Sequence, residues 1–170
     1  KGSVHHFDKL RNLAAADCAT IVGRECRPEW SSFKGESNAL FILSFANGIP
    51  AHYEGRCNCA GHQTSWHHEY YRAECEGGAV VLDSDDRVWL QEHTRGEGMR
   101  LTEVLLTRPQ FEGHKAIAAQ FLDWLDGGPT PATVLSDNIK SAAMLFGAIE
   151  SSESGLPVDV RGKVAEAMEE

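Results

Sequence analysis

The spacing of apolar residues changes twice along this 170-residue chain, and that change limits the folds it can adopt. Residues 5–15 place apolar side chains at the 3.6-residue period of a helix. From there to Leu106 the period is two, as in half-buried strands, and from Ile117 the helical period returns. A helix, then many strands, then two helices is typical of an α+β domain.

Turn signals divide the middle of the chain into short strands. We predict strands at residues 39–45, 52–59, 70–75, 79–83, 88–93, 101–106 and, after the last helix, 158–160. Asn47-Gly48, Gly77-Gly78 and Asp85-Asp86 supply turns. Since closely spaced strands with tight turns pair antiparallel, we expect an open, largely antiparallel mixed sheet with helices packed on one face. Residues 1–170 are expected to form a single domain, ending in a polar tail.

The two later helices have their own start and stop signals. Gly127-Gly128 should end the first of them, and Ser136 or Asp137 should cap the second. Gly155 and Pro157 should then terminate it. We expect this last helix to face the core with one apolar stripe, formed by Ile139, Ala142, Ala143, Phe146 and Ile149.

Composition excludes several classes of function. Lys and Arg total 16 against 25 Asp and Glu, a formal net charge of −9, which argues against nucleic acid or an anionic membrane as partner. No apolar run approaches the roughly 18 residues of a membrane span. Five cysteines without an extracellular signal indicate free thiols in a reducing compartment, so we expect a cytoplasmic protein.

No recognisable nucleotide-binding motif is present in the sequence. Gly96-Glu97-Gly98 comes nearest to the dinucleotide fingerprint, but it lacks the third glycine and the helix that should follow. A P-loop and a G-x-S-x-G nucleophile motif are also missing. We therefore expect this chain alone to bind no nucleotide cofactor.

Four segments, taken in order, resemble one known domain. They are residues 2–8 (GSVHHFD), 64–72 with a W-x-x-E-aromatic run followed by 76–80 around Gly77-Gly78, 114–125 ending in F-L-x-x-L, and 137–141 followed by 148–160. Together they resemble the C-terminal domain of the Gfo/Idh/MocA oxidoreductases, the family of glucose–fructose oxidoreductase and inositol dehydrogenase. The resemblance implies a dihydrodipicolinate-reductase-like fold for the whole chain.

That resemblance also implies a function and partners. Family members hold NAD or NADP in an N-terminal Rossmann domain, which this sequence lacks, and use the C-terminal domain for substrate binding and oligomerisation. The chain then begins at the boundary between the two domains. The implied substrate is a small molecule such as a sugar, a polyol or a related hydroxy compound. A homodimer or tetramer would form through the open sheet face.

The same resemblance assigns roles to residues near the start of the chain. His5 matches the histidine of the family's D-x-x-x-H motif and would act as general acid/base; Lys1 replaces the aspartate of that motif. A histidine suits this role because its unperturbed pKa lies near neutrality. Asp8 and His6 are candidate substrate contacts. Asp8 could instead only stabilise the helix, through the attraction between its carboxylate and the positive N-terminal end of the helix dipole.

Other interpretations remain open from the residues themselves. His5 could be a helix-start residue with a local hydrogen bond, and the chain a non-catalytic binding or assembly module. Arg56 could bind a substrate carboxylate or phosphate, or pair with Glu54 or Glu74 on the sheet. A weaker hypothesis is a small zinc-binding protein that uses a cluster of soft and borderline ligands, namely Cys57, Cys59, His62, His67 and His68.

Overall fold

The structure is a computed structural model that describes residues 2–57 and 68–169. It contains two compact units, one formed by Lys1–Asn58 with Phe111–Glu170 and the other by Cys59–Gln110. In chain order the elements are α1 (Ser3–Ala14), β1 (Cys18–Cys26), β2 (Asn38–Phe45), β3 (Pro50–Arg56), β4 (Tyr71–Cys75), β5 (Gly78–Leu82), β6 (Val88–Thr94), β7 (Gly98–Val104), α2 (Gly113–Leu125), α3 (Leu135–Ser154), β8 (Val158–Asp159) and α4 (Val160–Glu169).

The first unit is built on a four-stranded antiparallel sheet in the order β3-β2-β1-β8. Ile21 pairs with Leu43 across β1 and β2, and Phe41 pairs with Tyr53 across β2 and β3. Helices α1, α3 and α4 cover one face of this sheet. The predicted α+β class, with a largely antiparallel sheet and helices on one face, is confirmed.

Strand β2 shows how the sequence builds this arrangement. Phe41, Leu43 and Phe45 are buried, whereas Leu40 and Ile42, which alternate with them, are 56% and 58% exposed. Successive strand side chains point to opposite faces, so one face of β2 enters the core and the other stays open. The buried face packs against residues of the three helices, among them Phe7, Met144 and Val160.

The second unit is a separate antiparallel sheet in the order β4-β5-β6-β7. The β5–β6 turn is organised by Asp83, whose carboxylate accepts hydrogen bonds from the backbone N–H groups of Asp85 and Arg87. Its second oxygen accepts one from Trp89 Nε1 at 2.8 Å. These bonds lower the pKa of Asp83, the Trp89 bond contributing most. The Asp83 carboxylate therefore stabilises the β5–β6 hairpin, whose turn was predicted at Asp85-Asp86.

The predicted core stripe of α3 is wrong at its C-terminal end: Ala143 is buried and Ile139 and Ala142 are half-buried, but the last two members are exposed. Phe146 is 63% exposed and Ile149 is exposed, while the buried positions of α3 are mostly small. They are Ser141, Ala143, Met144, Gly147, Ala148 and Ser151. Small side chains let α3 lie close to the sheet: a Cβ on Gly147 would come within 3.1 Å of the Ile21 side chain. Close approach of the backbone, not apolar size, decides which face is buried.

Two further predictions about the helices are corrected. Helix α3 begins at Leu135 after Val134, without a side-chain cap, so neither Ser136 nor Asp137 caps it. The predicted polar tail is helix α4, whose first residue, Val160, is buried and whose Val164 packs against the core. Two valines four residues apart form an apolar face too short to stand out in a charged sequence.

Hydroxyl groups of α3 complete one edge of the first sheet. Strand β8 pairs only with Thr20 and Ile21 of β1. Further along β1, Ser151 Oγ accepts from Gly23 N at 3.1 Å and Ser152 Oγ accepts from Glu25 N at 2.8 Å. Two backbone donors that would otherwise lack a strand partner are thereby satisfied.

Helix α2 differs from the other helices because none of its residues is buried. Its predicted apolar stripe lies at the surface, with Ile117 44%, Phe121 48% and Leu122 61% exposed. It ends before Gly127, which has a φ of +90°. None of the helices in residues 2–57 and 68–169 combines the length and apolar character needed to cross a lipid bilayer.

Candidate active site

The candidate site lies at the first turn of α1, where His5 and His6 follow Ser3. Gly2 precedes the helix without a side-chain cap, and its carbonyl accepts a hydrogen bond from His5 N at 3.2 Å. His5 is exposed, His6 is half-buried and Phe7 is buried in the core. The turn is therefore anchored by Phe7 while it presents His5 at the surface.

Tyr53 of β3 holds this turn from the sheet side. Its hydroxyl lies 3.1 Å from Ser3 Oγ, and its ring lies 5.1 Å from Phe7 and 5.7 Å from His6, measured between ring centroids. A Cβ on Gly55 would overlap the Tyr53 hydroxyl, so the glycine gives the tyrosine room to lie along its own strand. Burial raises the pKa of Tyr53, although the Ser3 hydrogen bond opposes the shift.

Asp8 lies one turn after His5, on the same side of α1 because residues three apart are neighbours on a helix surface. Its Oδ1 atom accepts a hydrogen bond from Ser141 Oγ at 2.7 Å and lies 3.2 Å from Arg11 Nη1. Within the described ranges, Oδ2 of Asp8 has no protein partner. The side chain is 53% exposed. One carboxylate oxygen is thus fixed by protein groups and the other is open to solvent.

Arg11 stands at the centre of a charged network that joins α1 to α3. Its side chain is only 9% exposed, and Nη2 donates to Asp137 at 2.8 Å and to Asp17 at 3.0 Å. Lys140 Nζ lies 3.0 Å from the second oxygen of Asp17. With Asp8, these residues form what we call the Arg11 cluster: Asp8, Arg11, Asp17, Asp137 and Lys140.

The cluster lowers the pKa of two of its carboxylates, Asp137 and Asp17. The hydrogen bond from Arg11 lowers the pKa of Asp137, although partial burial opposes it. For Asp17, burial raises the pKa, but hydrogen bonds from Lys140 and Arg11 outweigh it and the net direction is downward. Both carboxylates are therefore ionised near neutral pH, where the cluster is fully formed.

The remaining candidate residues lie elsewhere. Arg56 is 62% exposed, pairs with Glu54 and lies on the open face of the sheet, whereas Tyr53 and α1 occupy the other face. The alternative of a sheet-surface ion pair is therefore what the structure shows for Arg56. A cavity of about 200 Å³ beside the Arg11 cluster is lined by Asp17, Lys140 and Arg161, among others, but not by His5.

The zinc hypothesis falls largely on residues outside the described ranges. Of its ligands, Cys59, His62 and His67 are not described, and Cys57 is exposed. His68 uses Nδ1 in a 2.8 Å contact with the Ser84 carbonyl. Among the described residues, no group of three or more His, Cys, Asp or Glu side chains could hold a metal ion.

Comparison with known proteins gives one curated relative. No family model matches the chain. The uncharacterized protein y4oX of Sinorhizobium fredii is 36% identical over 169 residues, a match that covers 95% of this chain and 46% of that protein. The chain thus spans about half the length of the curated relative that it matches.

Solved structures also match nearly all of this chain with about half of their own length, and they share its fold. An oxidoreductase from Agrobacterium radiobacter, in complex with NAD+, L-tartaric acid and magnesium, is 24% identical with a TM-score of 0.74; the match covers 95% of this chain and 48% of that one. A levoglucosan dehydrogenase in complex with NADH and levoglucosan is 18% identical with a TM-score of 0.69, covering 92% and 48%.

These structures are oxidoreductases of the Gfo/Idh/MocA type, and the chain has the fold of their C-terminal domain. The resemblance stated from the sequence is thereby confirmed for the fold. The matches cover slightly less than half of each of these solved chains.

Proposed function

We propose that residues 1–170 are the substrate-binding and oligomerisation domain of an NAD(P)-dependent oxidoreductase of the Gfo/Idh/MocA family. Its substrate would be a sugar, a polyol or a related hydroxy compound. The observation that carries this proposal is the first turn of α1, which presents His5 at the surface of a fold shared with oxidoreductases solved with NAD+ or NADH. Localisation in the cytoplasm, indicated by the free thiols, is part of the same proposal.

His5 is assigned the proton transfer. Oxidation of an alcohol to a carbonyl requires the hydroxyl proton to be removed, and an exposed imidazole within hydrogen-bond reach can accept it and return it in the reverse direction. Asp8, three residues along the same helix, would accept a hydrogen bond from a neighbouring substrate hydroxyl. His6, packed on Tyr53, would border the substrate.

The described residues do not fit a nicotinamide dinucleotide. The dinucleotide fingerprint places its glycines in a turn between a strand and a helix, but Gly96 lies in a hairpin turn after β6 and Gly98 is the first residue of β7. NAD or NADP would therefore be held by another part of the full-length protein. This chain's own contribution is to bind and orient the substrate and to move one proton.

The proposal is tested by assaying the full-length protein. Levoglucosan, D-glucose and L-tartrate are each offered with NAD+ and with NADP+, and the absorbance of the reduced nicotinamide is followed. Reduction of the cofactor with at least one neutral sugar is expected. Failure of all three compounds with both cofactors would contradict a sugar or polyol oxidoreductase.

The open face of the first sheet supports the oligomer in this proposal. Leu40 and Ile42 are more than half exposed at its centre, and Val22 pairs with Ile42 across β1 and β2. Exposed apolar residues that adjoin on a sheet face and are flanked by polar ones, here Arg24, His52 and Glu54, are typical of an interaction surface. A second copy would cover it by packing face to face, which places the same residues on both sides of a twofold axis.

Ile42→Asp should shift the protein from dimer or tetramer toward monomer in light scattering at micromolar concentration. Loss of one buried isoleucine on each side should weaken association by at least about tenfold. Leu13→Asp is the matched control, because Leu13 is 52% exposed on α1 and away from this face. A wild-type monomer, or equal masses for wild type and Ile42→Asp, would contradict the open-face interface.

A further inference from the structure

We propose that Ser141 of α3 is a positioning residue that fixes Asp8 through its Oδ1 atom and so leaves Oδ2 to accept a substrate hydroxyl. This inference rests on the proposed function and deepens it, because it assigns a specificity role to a helix that carries none of the catalytic or substrate-binding residues predicted from the sequence. Its basis is the geometry of three side chains: Asp8, Arg11 and Ser141.

The direction of each hydrogen bond in this triangle is determined. Arg11 Nη1 lies 2.8 Å from Ser141 Oγ, and a guanidinium can only donate. Ser141 Oγ therefore accepts from Arg11, and its single proton is available to Asp8 Oδ1 at 2.7 Å. Ser141 is 3% exposed, so water does not compete freely for this proton.

The triangle makes the two oxygens of Asp8 unequal. Oδ1 receives the Ser141 hydroxyl and lies 3.2 Å from Arg11 Nη1, whereas Oδ2 has no partner in the described parts of the chain. Fixing one oxygen orients the carboxylate before a ligand arrives, so less side-chain freedom is lost on binding. An oriented carboxylate oxygen is an acceptor suited to a hydroxyl donor.

The charge around Asp8 favours a neutral donor over an anion. The Arg11 cluster contains three carboxylates and two cations, and both cations are already paired with Asp17 and Asp137. Arg56, the residue considered for binding an acid, lies on the other face of the sheet. The hydroxyl that Oδ2 accepts therefore belongs to an uncharged polyhydroxy compound.

The first test needs no turnover and uses three substitutions. Ser141→Ala removes the hydroxyl, Ser141→Cys keeps the approximate volume with a weak donor, and Ser141→Thr keeps the hydroxyl. Three-bond NMR couplings at the Asp8 β-protons should report one rotamer in the wild type and in Ser141→Thr, and averaged rotamers in Ser141→Ala and Ser141→Cys. Averaging in the wild type, or one rotamer in every variant, would overturn the inference.

The second test separates positioning from stability, with levoglucosan as the probe. Ser141→Ala and Ser141→Cys should each raise KM about tenfold while kcat changes less than about twofold, and Ser141→Thr should stay close to wild type. A purely structural serine would lower the melting temperature and leave KM unchanged, which would overturn the inference. If Asp8→Asn leaves KM unchanged, the proposed substrate contact of Asp8 fails, whatever Ser141 does to the rotamer.

Discussion

Replacing His5 with alanine should lower kcat by about 10²- to 10⁴-fold, the range expected when a general acid/base is removed. KM should change little, because the proton is transferred at the reacting oxygen while other side chains hold the substrate. The structure allows this variant to fold: His5 is exposed, and the turn that carries it is anchored by Phe7 and Tyr53. Steady-state kinetics of the full-length protein provide the measurement.

The matched control is His6→Ala, one residue along the same turn. His6 is half-buried beside Tyr53, so its loss should reduce kcat by less than about tenfold. An unchanged rate in His5→Ala would favour the alternative of a non-catalytic binding or assembly module. Equal losses in both variants would point to distortion of the helix start and not to proton transfer.

Replacing Arg11 with methionine should lower the free energy of unfolding by about 2–4 kcal/mol. The substitution keeps an apolar stem of similar length but leaves Asp17 and Asp137 without their most buried partner. Breaking a fully buried ion pair usually costs about 3–5 kcal/mol of unfolding free energy. We expect a smaller cost here because the carboxylates of Asp17 and Asp137 are 46% and 45% exposed, so solvent screens them. Arg161→Met, which removes a surface contact of 3.8 Å to Asp159, should cost less than about 0.5 kcal/mol.

The effect of Arg11→Met should depend on pH in a defined direction. Because Arg11 lowers the pKa of Asp137, the contribution of this pair is complete above the unfolded carboxyl pKa of about 4 and is lost as pH falls through the lower folded value. Urea unfolding should therefore show a smaller difference between wild type and Arg11→Met in acid than at neutral pH. A difference that stays constant across this range would mean that the pair does not stabilise the fold.

The sequence predicted the fold wherever periodicity coincided with burial. Strand β2 is an example, since its alternation of Phe41 and Leu43 with Leu40 and Ile42 is the observed division between core and open face. The burial predicted from periodicity was wrong at α3, where the apolar Phe146 is exposed and Ser151 is fully buried. Hydropathy cannot reveal a helix that is buried through small residues and hydroxyl groups, because its contacts depend on backbone proximity.

The candidate site was predictable only in its local part. His5 and Asp8 follow from a motif within eight residues, and the structure places both on α1. Tyr53 and Ser141 reach the same helix from positions 50 residues after Ser3 and 133 residues after Asp8. The alternation along β3 puts Tyr53 and Arg56 on opposite sides of the strand, but periodicity alone cannot show which side α1 covers.

The hydroxyl groups that satisfy Gly23 and Glu25 also restrict how molecules of this protein can assemble. Exposed strand edges are templates on which other chains can extend a sheet. Along this part of β1 the amide protons are already committed to Ser151 and Ser152, and a side chain on Gly23 would strike the Leu40 carbonyl of the neighbouring strand. In the folded protein these committed amide protons therefore block edge-to-edge extension of the sheet along this part of β1.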